Sequence, residues 1–214
     1  MDAQLLLATA QPPFWRLPST TPVVGACIVC FPRGQTAPGA RGDRGWAAAA
    51  ALQGRRVVAE AIVTGAAGGP YAPGMLALRE GPLLEAAVRG LAVVPDVMLV
   101  DATGRDHPRR AGLAIQLGAM VGLASVGVTH RPLLADGACP ANTRGATAAL
   151  LLDGERVAVW LRTRRSARPL AVHAGWRTDV DVAVQTVMAT VCGHRTPEPL
   201  RHARRLARIA RAHG

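Results

Sequence analysis

One short segment brings together residue types that serve hydrolytic chemistry. Residues 93–112 read VVPDVMLVDATGRDHPRRAG, in which Asp101 follows an apolar run and His107 comes soon after it. A carboxylate beside an imidazole can hold a metal ion or move a proton, and an arginine can neutralise a phosphate. The segment therefore indicates acid–base chemistry or metal-assisted cleavage of an anionic ester.

Hydrophobic patterning predicts the elements that position these residues. We expect strands at 23–31, 46–52, 56–63, 97–101, 124–128, 147–152, 156–161 and 169–173, and helices at 75–91, 108–121, 179–192 and 198–213. A meander followed by alternating strands and helices predicts a single α/β domain with a mixed sheet over residues 23–214. A Pro-rich, irregular segment, residues 1–22, precedes it. Asp101 lies at a strand end, where chemistry collects in such sheets.

The charge balance is strongly basic, with a net charge of +11 and arginine as its only source, since the sequence contains no lysine. High-GC codon usage or an affinity for anions such as nucleic acid explains this excess, and charge alone does not choose between them. A lysine base or Schiff base is excluded. No apolar run reaches the length of a membrane span, and the N-terminus lacks the basic start of a secretory signal, so we expect a cytoplasmic protein without membrane contact.

Cys27 and Cys30 have the spacing of a zinc or redox pair. No second pair or matching histidines follow, and the surrounding VVGACIVCF reads as a buried strand. We therefore expect core thiols rather than a metal site.

Several segments in the same order resemble endonuclease V, a ribonuclease-H-like family that nicks DNA or RNA near deoxyinosine or inosine. The resemblance runs from Val23 to His202 and is carried by PYAPGMLALRE (70–80), PDVMLVDATGRDHPRRAG (95–112), VGVTHRPL (126–133), and the segments 155–183 and 195–203. It implies a ribonuclease-H-like mixed sheet flanked by helices. It also implies chemistry in which strand-borne carboxylates hold Mg²⁺ and the ion activates water.

The resemblance assigns roles to matching positions. Glu80 and Asp101 fall on metal-site carboxylates, and His107 falls on the histidine that follows them. Tyr71 falls in the wedge that separates strands and exposes the lesion, and Pro70 and Pro73 flank it.

Three positions depart from the family pattern. Cys27 stands where the first strand should end in an aspartate, His130 replaces a lysine, and Trp176 replaces a histidine described as near the metal, although Asp181 is kept. Sulfur is a poor ligand for Mg²⁺, and losing the central aspartate costs several kcal/mol, or ~10³-fold in rate. We therefore expect no cofactor and no metal, with Glu80 and Asp101 as residual ligands only and Mg²⁺ only if nuclease activity survives.

Without a metal, Glu80 and Asp101 repel each other, so one of them should hold a proton near neutral pH. The pair would then serve as a general acid or base. The candidate catalytic residues are Asp101, Glu80, His107, His130 and Asp181, and the candidate substrate-binding residues are Tyr71, Pro70, Pro73, Arg109 and Arg177. Pro108 suits a first helical turn, which places Arg109 and Arg110 at the start of a helix.

Three functions remain open. The favoured interpretation is a metal-independent enzyme, or an enzyme subunit with a protein partner, repurposed for a specialised biosynthetic pathway and removing a phosphate- or sulfate-like group from a small anionic ester. The first alternative is a deoxyinosine- or inosine-specific repair endonuclease with a weakened Mg²⁺ site. The second is a non-catalytic protein that binds nucleic acid or a partner. The basic C-terminal helix either follows a nucleic-acid backbone or is simply a solvated face.

Overall fold

Eight strands form one mixed sheet with helices on both faces. The computed structural model describes residues 2–34 and 38–214. The strands are β1 (Val23–Cys30), β2 (Arg44–Gln53), β3 (Arg56–Ala66), β4 (Val97–Val100), β5 (Ala124–Thr129), β6 (Thr147–Leu152), β7 (Glu155–Leu161) and β8 (Leu170–Ala174). The helices are α1 (Asp2–Thr9), α2 (Leu76–Arg89), α3 (Leu113–Val121), α4 (Val180–Thr190) and α5 (Glu198–His213). The predicted α/β class with a mixed sheet is confirmed.

The sheet has the order β3-β2-β1-β4-β5-β8-β7-β6. β1, β4 and β5 run parallel to one another, and the other neighbours pair antiparallel. Because successive side chains of a strand point to opposite faces, β4 serves two cores. Met98 and Val100 pack with α2 and α3, whereas Val97 and Leu99 pack with α4 and α5.

An alanine run lets the two helix layers approach the sheet closely. Residues 47–51 of β2 are all alanine and each is 0% exposed. Neighbouring residues of the run pack into the two different cores, since Ala48 and Ala50 join the α4 and α5 side and Ala49 joins the α2 side. The small side chains leave room for helices on both faces without voids.

The parallel strands define the edge at which the candidate residues gather, called here the carboxyl edge. Asp101 follows β4 and His130 follows β5 at this edge. The connection from β7 to β8 lies at the same edge, because Leu161 pairs with Leu170 and the adjacent Ala171 pairs with Thr129. The opposite edge contains the starts of β4 and β5.

The segment after β4 is a loop and not the predicted start of a helix. α3 begins at Leu113 instead of residue 108. The buried Asp106 carboxylate accepts hydrogen bonds from the backbone N–H groups of residues 133, 134 and 135, at 2.6–2.8 Å, and fixes the loop. Arg110 has φ 54°, which a helix does not allow. The expectation that Arg109 and Arg110 occupy a first helical turn is therefore wrong.

The N-terminal segment is partly helical and packs on the domain. Residues 2–9 form α1, so the expectation of an irregular segment over 1–22 holds only beyond it. The Trp15 N–H donates to the Arg177 carbonyl at 2.7 Å, and Arg177 Nε donates to the Pro13 carbonyl at 3.1 Å. Residues 32–45 are rich in Gly, Pro and Arg, which predicts a loop. Residues 35–37 of this segment lie outside the described residues. No helix among the described residues is long and apolar enough to cross a membrane.

The C-terminal helix is confirmed. Its sequence predicts an apolar face formed by Leu206 and Ile209, but the buried face is a different one. Leu200, Ala203 and Ala207 are buried with Leu206 against the sheet, whereas Ile209 is 44% exposed. This face contains alanines because α5 packs closely against the alanine run of β2. Asp153 and Gly154 separate two predicted strands, which predicts a hairpin turn. The structure confirms it, with positive φ at both residues.

Candidate active site

Asp101 lies at the carboxyl edge and is held by an arginine from α5. Arg204 Nη2 donates to Asp101 Oδ2 at 2.8 Å, with the two side chains 22% and 37% exposed. The ion pair joins the end of β4 to the C-terminal helix. Sequence reasoning missed Arg204, since its only signal is one arginine among many in a basic helix.

Cys27 lies on β1, opposite Val100 in the register with β4, and its side chain faces the α2 layer. Burial raises the pKa of the Cys27 thiol far above its ordinary value, and the nearby Glu80 and Asp101 raise it further. The thiol therefore stays protonated, and the thiolate is the form that binds metals. Cys27 supplies no negative charge to this site, as the expectation of a core thiol implies.

Glu80, on α2, faces the same small cavity of about 150 Å³ as Cys27 and Asp101. Burial, followed by the charge of Asp101, raises the pKa of Glu80 to about 7, against an opposing effect of Arg79. Glu80 is therefore about half protonated at neutral pH. The direction of this shift is the one expected of two neighbouring carboxyl groups with no ion between them.

His107 joins the loop after β4 to the loop that carries Tyr71. Its Nε2 lies 3.0 Å from the Gly74 carbonyl, and its Nδ1 accepts the Arg109 backbone N–H at 3.1 Å. A backbone N–H only donates, so Nδ1 is unprotonated and Nε2 carries the proton. Burial lowers the pKa of His107 and keeps it neutral. The side chain of Arg109 also donates to the Gly74 carbonyl, at 2.8 Å, so it holds the same loop.

A second cavity, of about 190 Å³, lies between the Tyr71 loop and the loop after β4. We call it the wedge pocket. Its lining residues are Tyr71, Ala72, Pro73, Gly74, Leu76, Asp101, Ala102, Thr103, His107, Leu113, Gln116, Thr129 and Leu133. Tyr71 is 54% exposed. The structure therefore brings Tyr71, Pro73, His107 and Asp101 together, with Pro70 preceding Tyr71 in the same loop.

His130 follows β5 at the carboxyl edge, as expected. Burial lowers the pKa of His130, and the nearby positive charges of Arg195 and Arg204 lower it further. The negative charge of Asp101 opposes this shift. A lowered pKa leaves the imidazole largely neutral at pH 7, so His130 supplies less positive charge than a lysine.

Trp176 and Asp181 lie at the opposite edge of the sheet, away from Asp101. The backbone N–H of Trp176 donates to Ser125 Oγ at 2.8 Å, and Ser125 is near the start of β5. Asp181 pairs with Arg156 at 3.2 Å, near the start of β7. The expectation that these residues share the site with Asp101 is therefore wrong. The length of β5 separates the edge where they lie from the carboxyl edge.

Arg177 also lies at that opposite edge, where it fixes the N-terminal segment. A cavity of about 610 Å³ is formed there by the N-terminal segment with Trp176, Arg177 and residues near them. Arg177 therefore does not reach the wedge pocket. The expectation that Arg177 binds substrate together with Tyr71 is therefore wrong, because the two residues lie at opposite edges of the sheet.

The donor set at the carboxyl edge does not fit Mg²⁺. Cys27 offers sulfur, which is a poor ligand for Mg²⁺, and Asp101 is paired with Arg204. Mg²⁺ requires hard, mostly anionic oxygen ligands in near-octahedral geometry. Among the described residues no group of three or more His, Cys, Asp or Glu side chains has the arrangement of a metal site. The described residues at this edge therefore do not match the ligand set that Mg²⁺ needs.

Five arginines surround this edge, and all but Arg195 are exposed. Arg131 follows His130, and Arg164, Arg165 and Arg168 lie in the connection from β7 to β8. Arg195 is tied to that connection by a 2.7 Å hydrogen bond from Nη2 to the Pro169 carbonyl. These five residues, called here the basic rim, place positive charge on the side of the sheet where Asp101 lies.

Comparisons with known proteins point to one family. A family model described as Endonuclease V matches residues 25–205. Endonuclease V of Geotalea uraniireducens is 41% identical over 150 residues, which are 70% of this chain and 64% of that protein. The matched part thus spans slightly less than two thirds of that relative.

Solved structures show the same fold. Endonuclease V from Streptomyces avermitilis is 34% identical, with a TM-score of 0.87 over 99% of this chain and 90% of that one. Endonuclease V of Ciona intestinalis in complex with DNA is 20% identical, with a TM-score of 0.78 over 99% and 96% of the two chains, and shows the fold alone. The predicted ribonuclease-H-like sheet of the endonuclease V type is confirmed. Because the family model covers most of the chain, this protein belongs to the endonuclease V family.

Proposed function

We propose that this chain recognises nucleic acid containing deoxyinosine or inosine, in DNA repair, and that its metal-dependent cleavage is severely weakened. The wedge pocket carries the proposal. It combines the exposed ring of Tyr71 with polar side chains beside Asp101. Such a pocket suits a base taken out of the stack, which is held by an aromatic face and read along its hydrogen-bonding edge.

Gln116 gives the wedge pocket a hydrogen-bond acceptor. Its Nε2 donates to the Ala111 carbonyl at 2.7 Å, and no described residue donates to its Oε1, so Gln116 can offer an acceptor to a base in the pocket it lines. An acceptor there favours a base that carries a proton on N1, such as hypoxanthine, over adenine, which has a bare N1. The amide orientation is fixed by the bond to Ala111, and a substitution at Gln116 tests this preference.

The basic rim supports binding of the phosphate backbone. Its arginines lie in loops on the same edge as Asp101, and guanidinium groups bind phosphate oxygens with paired N–H groups. Each phosphate neutralised adds to the salt dependence of binding. The rim and the wedge pocket thus provide sequence-independent affinity and base recognition on one surface.

The comparisons favour nucleic acid over a small-molecule substrate. The Ciona intestinalis relative holds a 24-mer DNA with an inosine followed by a ribo-adenosine, which suggests the probe to use here. The favoured sequence interpretation, a repurposed biosynthetic enzyme acting on a small anionic ester with a partner subunit, gains no support from the matches. The repair-endonuclease alternative fits them better.

Hydrolysis is weakened because the carboxyl edge lacks the negative charge that would hold a divalent ion. The thiol of Cys27 replaces a carboxylate, and Asp101 is neutralised by Arg204. Losing one such electrostatic contribution to the transition state costs several kcal/mol, or ~10³-fold in rate. We expect nicking to fall at least this far below that of the Streptomyces avermitilis relative.

The test compares oligonucleotides that differ only at one base. Fluorescence anisotropy should give tighter binding to inosine than to adenine at that base, by about tenfold, which is about 1.4 kcal/mol. Gel assays with Mg²⁺ or Mn²⁺ should show nicking far slower than by the Streptomyces avermitilis protein under the same conditions. Equal affinity for both oligonucleotides would overturn the proposed recognition.

Residual deoxyinosine-directed endonuclease activity is the second candidate function. It is favoured by Glu80 and Asp101, which face one cavity and match two of the family's carboxylates. Slow nicking that disappears in Asp101→Asn, measured at protein concentrations that saturate the oligonucleotide with either protein, would establish it. Nicking at the rate of the relative would contradict the weakening proposed above.

A further inference from the structure

The Asp101–Arg204 ion pair is fixed by the fold. Arg204 extends from α5, whose residues Leu200, Ala203 and Ala207 are buried against the sheet. Asp101 follows β4 directly, and Val100 is 1% exposed. Both side chains thus start from buried parts of the fold, which places the guanidinium at the carboxyl edge in a partly exposed pair.

Arg204 has hydrogen-bonding capacity left over. Within the described residues, only Nη2 forms a hydrogen bond, which it donates to Asp101 Oδ2. A guanidinium has five N–H donors in a planar fork. The remaining donors are available to an anion that approaches Asp101 from the edge.

A second arginine, Arg195, is held at the same edge by the connection from β7 to β8. The Nε–H of Arg195 is buried and has no hydrogen-bond partner in the described part of the chain. Its Nη2 is held by the Pro169 carbonyl, which fixes the side chain. Arg195 and Arg204 are both near enough to His130 to lower its pKa, so both place positive charge on the carboxyl edge.

We infer that Arg204 is the resident cation of this edge: its guanidinium takes the position beside Asp101 that a divalent ion would need, and with Arg195 it binds a phosphate without metal. A divalent ion would have to displace Arg204 and then lie beside its positive charge, and the nearby Cys27 offers sulfur where an oxygen ligand would be needed. The phosphate in question is one of the nucleic acid, so this part of the inference rests on the proposed function.

Metal binding is tested first, without nucleic acid. Titration of Mn²⁺ followed by electron paramagnetic resonance should show no bound ion in the unaltered protein at millimolar Mn²⁺. Cys27→Asp/Arg204→Gln restores a carboxylate and removes the guanidinium, and it should bind Mn²⁺. Binding of Mn²⁺ by the unaltered protein, abolished by Asp101→Asn, would overturn the inference.

Nucleic-acid binding is tested second, with the inosine oligonucleotide in EDTA and in MgCl₂. The affinity should be equal in both, and Arg204→Gln should lower it about tenfold and reduce the salt slope by about one. Arg208→Gln, with the same charge change on an exposed part of α5, is the matched control and should lower the affinity less. Affinity that requires Mg²⁺ would contradict metal-free phosphate binding.

Two further results separate the possible failures. Arg204→Lys keeps the charge and should retain more affinity than Arg204→Gln, and it replaces that variant if Arg204→Gln does not fold. Loss of inosine preference with unchanged exclusion of Mn²⁺ would contradict the proposed function but not the resident cation. Retained preference together with Mn²⁺ binding by the unaltered protein would do the reverse.

Discussion

His107 and Gly74 connect two loops that are far apart in sequence and form opposite walls of the wedge pocket. The imidazole Nε2–H donates to the Gly74 carbonyl at 3.0 Å, while Nδ1 is occupied by the Arg109 N–H. Both ring nitrogens are thus used in holding loops together. Because Nε2 bonds to a carbonyl in the protein, His107 positions the Tyr71 loop and is not free to act as an acid or base on substrate.

Substituting His107 should loosen this connection. His107→Phe leaves the Arg109 N–H without its acceptor and should lower the free energy of unfolding by about 1–3 kcal/mol. It should also weaken inosine binding, because Tyr71 is no longer held at the pocket. Urea denaturation and anisotropy measure the two effects. His107→Gln keeps a donor and an acceptor and serves as the matched control, and an unchanged affinity in both variants would refute the positioning role.

Glu80 makes stability depend on pH. Its pKa is raised from 4.5 to about 7 in the folded protein, so the native state binds the proton more tightly than the unfolded chain does. The stabilisation is fully present below about pH 4.5 and is lost as pH rises through about 7. The free energy of unfolding should therefore fall by up to about 3 kcal/mol across this window.

Glu80→Gln removes that titration and isolates its contribution. The variant should lose much of the decline in stability between pH 5 and about 8, as measured by urea denaturation at several pH values. Glu85→Gln, on the same helix but paired with Arg89 at the surface, provides the control and should change the profile little. A Glu80→Gln profile that parallels the unaltered protein would show that the carboxyl is ionised normally.

Much of the fold could be predicted from the sequence, because strand alternation and helical periodicity are local signals. The strands at Val97 and Ala124 and the turn at Gly154 were predicted within a few residues. The loop at 101–112 could not be, because Pro108 suits a helix start and the burial of Asp106 under residues 133–135 depends on a distant segment. Local patterning does not report such contacts.

The candidate site was predicted where motifs matched and was missed where contacts are long-range. Cys27, Glu80 and Asp101 do converge, as the family motifs imply. Trp176 and Asp181 do not, because spacing along the chain does not report which end of an antiparallel strand faces the site. Arg204 comes from a helix about a hundred residues after Asp101, and no local pattern distinguishes it from the other arginines of α5.

Tyr71 should contribute stacking energy to base recognition. Its ring is 54% exposed at the rim of the wedge pocket, so truncation should cost binding without disrupting the core. Tyr71→Ala should weaken binding of the inosine oligonucleotide by about 1–3 kcal/mol, and Tyr71→Phe should retain most of it because the aromatic face remains. Anisotropy titrations provide the measurement, and equal losses in both variants would assign the effect to the hydroxyl.

Asp101 and Asp181 should be functionally separable, since they lie at opposite edges of the sheet. Asp181→Ala removes a surface ion pair with Arg156, in which the side chains are 69% and 48% exposed, and should change stability by less than about 1 kcal/mol. It should leave oligonucleotide binding unchanged. Asp101→Asn releases Arg204 and should alter both the affinity and its salt dependence. Similar binding effects for the two variants would place Asp181 in the site after all.

Cys27→Asp tests whether one restored carboxylate is enough to rebuild the ion site. The introduced carboxyl would be fully buried beside Glu80 and Asp101, so its charge has no compensating partner. The free energy of unfolding should fall by several kcal/mol, and more at high pH, where the new group must ionise. Cys27→Ser, which is polar but neutral, is the control and should cost less.

Mn²⁺ should not rescue Cys27→Asp by itself, because Arg204 still occupies Asp101. Thermal melts with and without Mn²⁺ distinguish the outcomes, since an ion bound only to the folded state raises the melting temperature. A Mn²⁺-dependent rise in Cys27→Asp alone would mean that the guanidinium yields its place to a metal once the aspartate returns. No rise in Cys27→Asp, but a rise when Arg204→Gln is added, would show that both the thiol and the arginine keep the ion out.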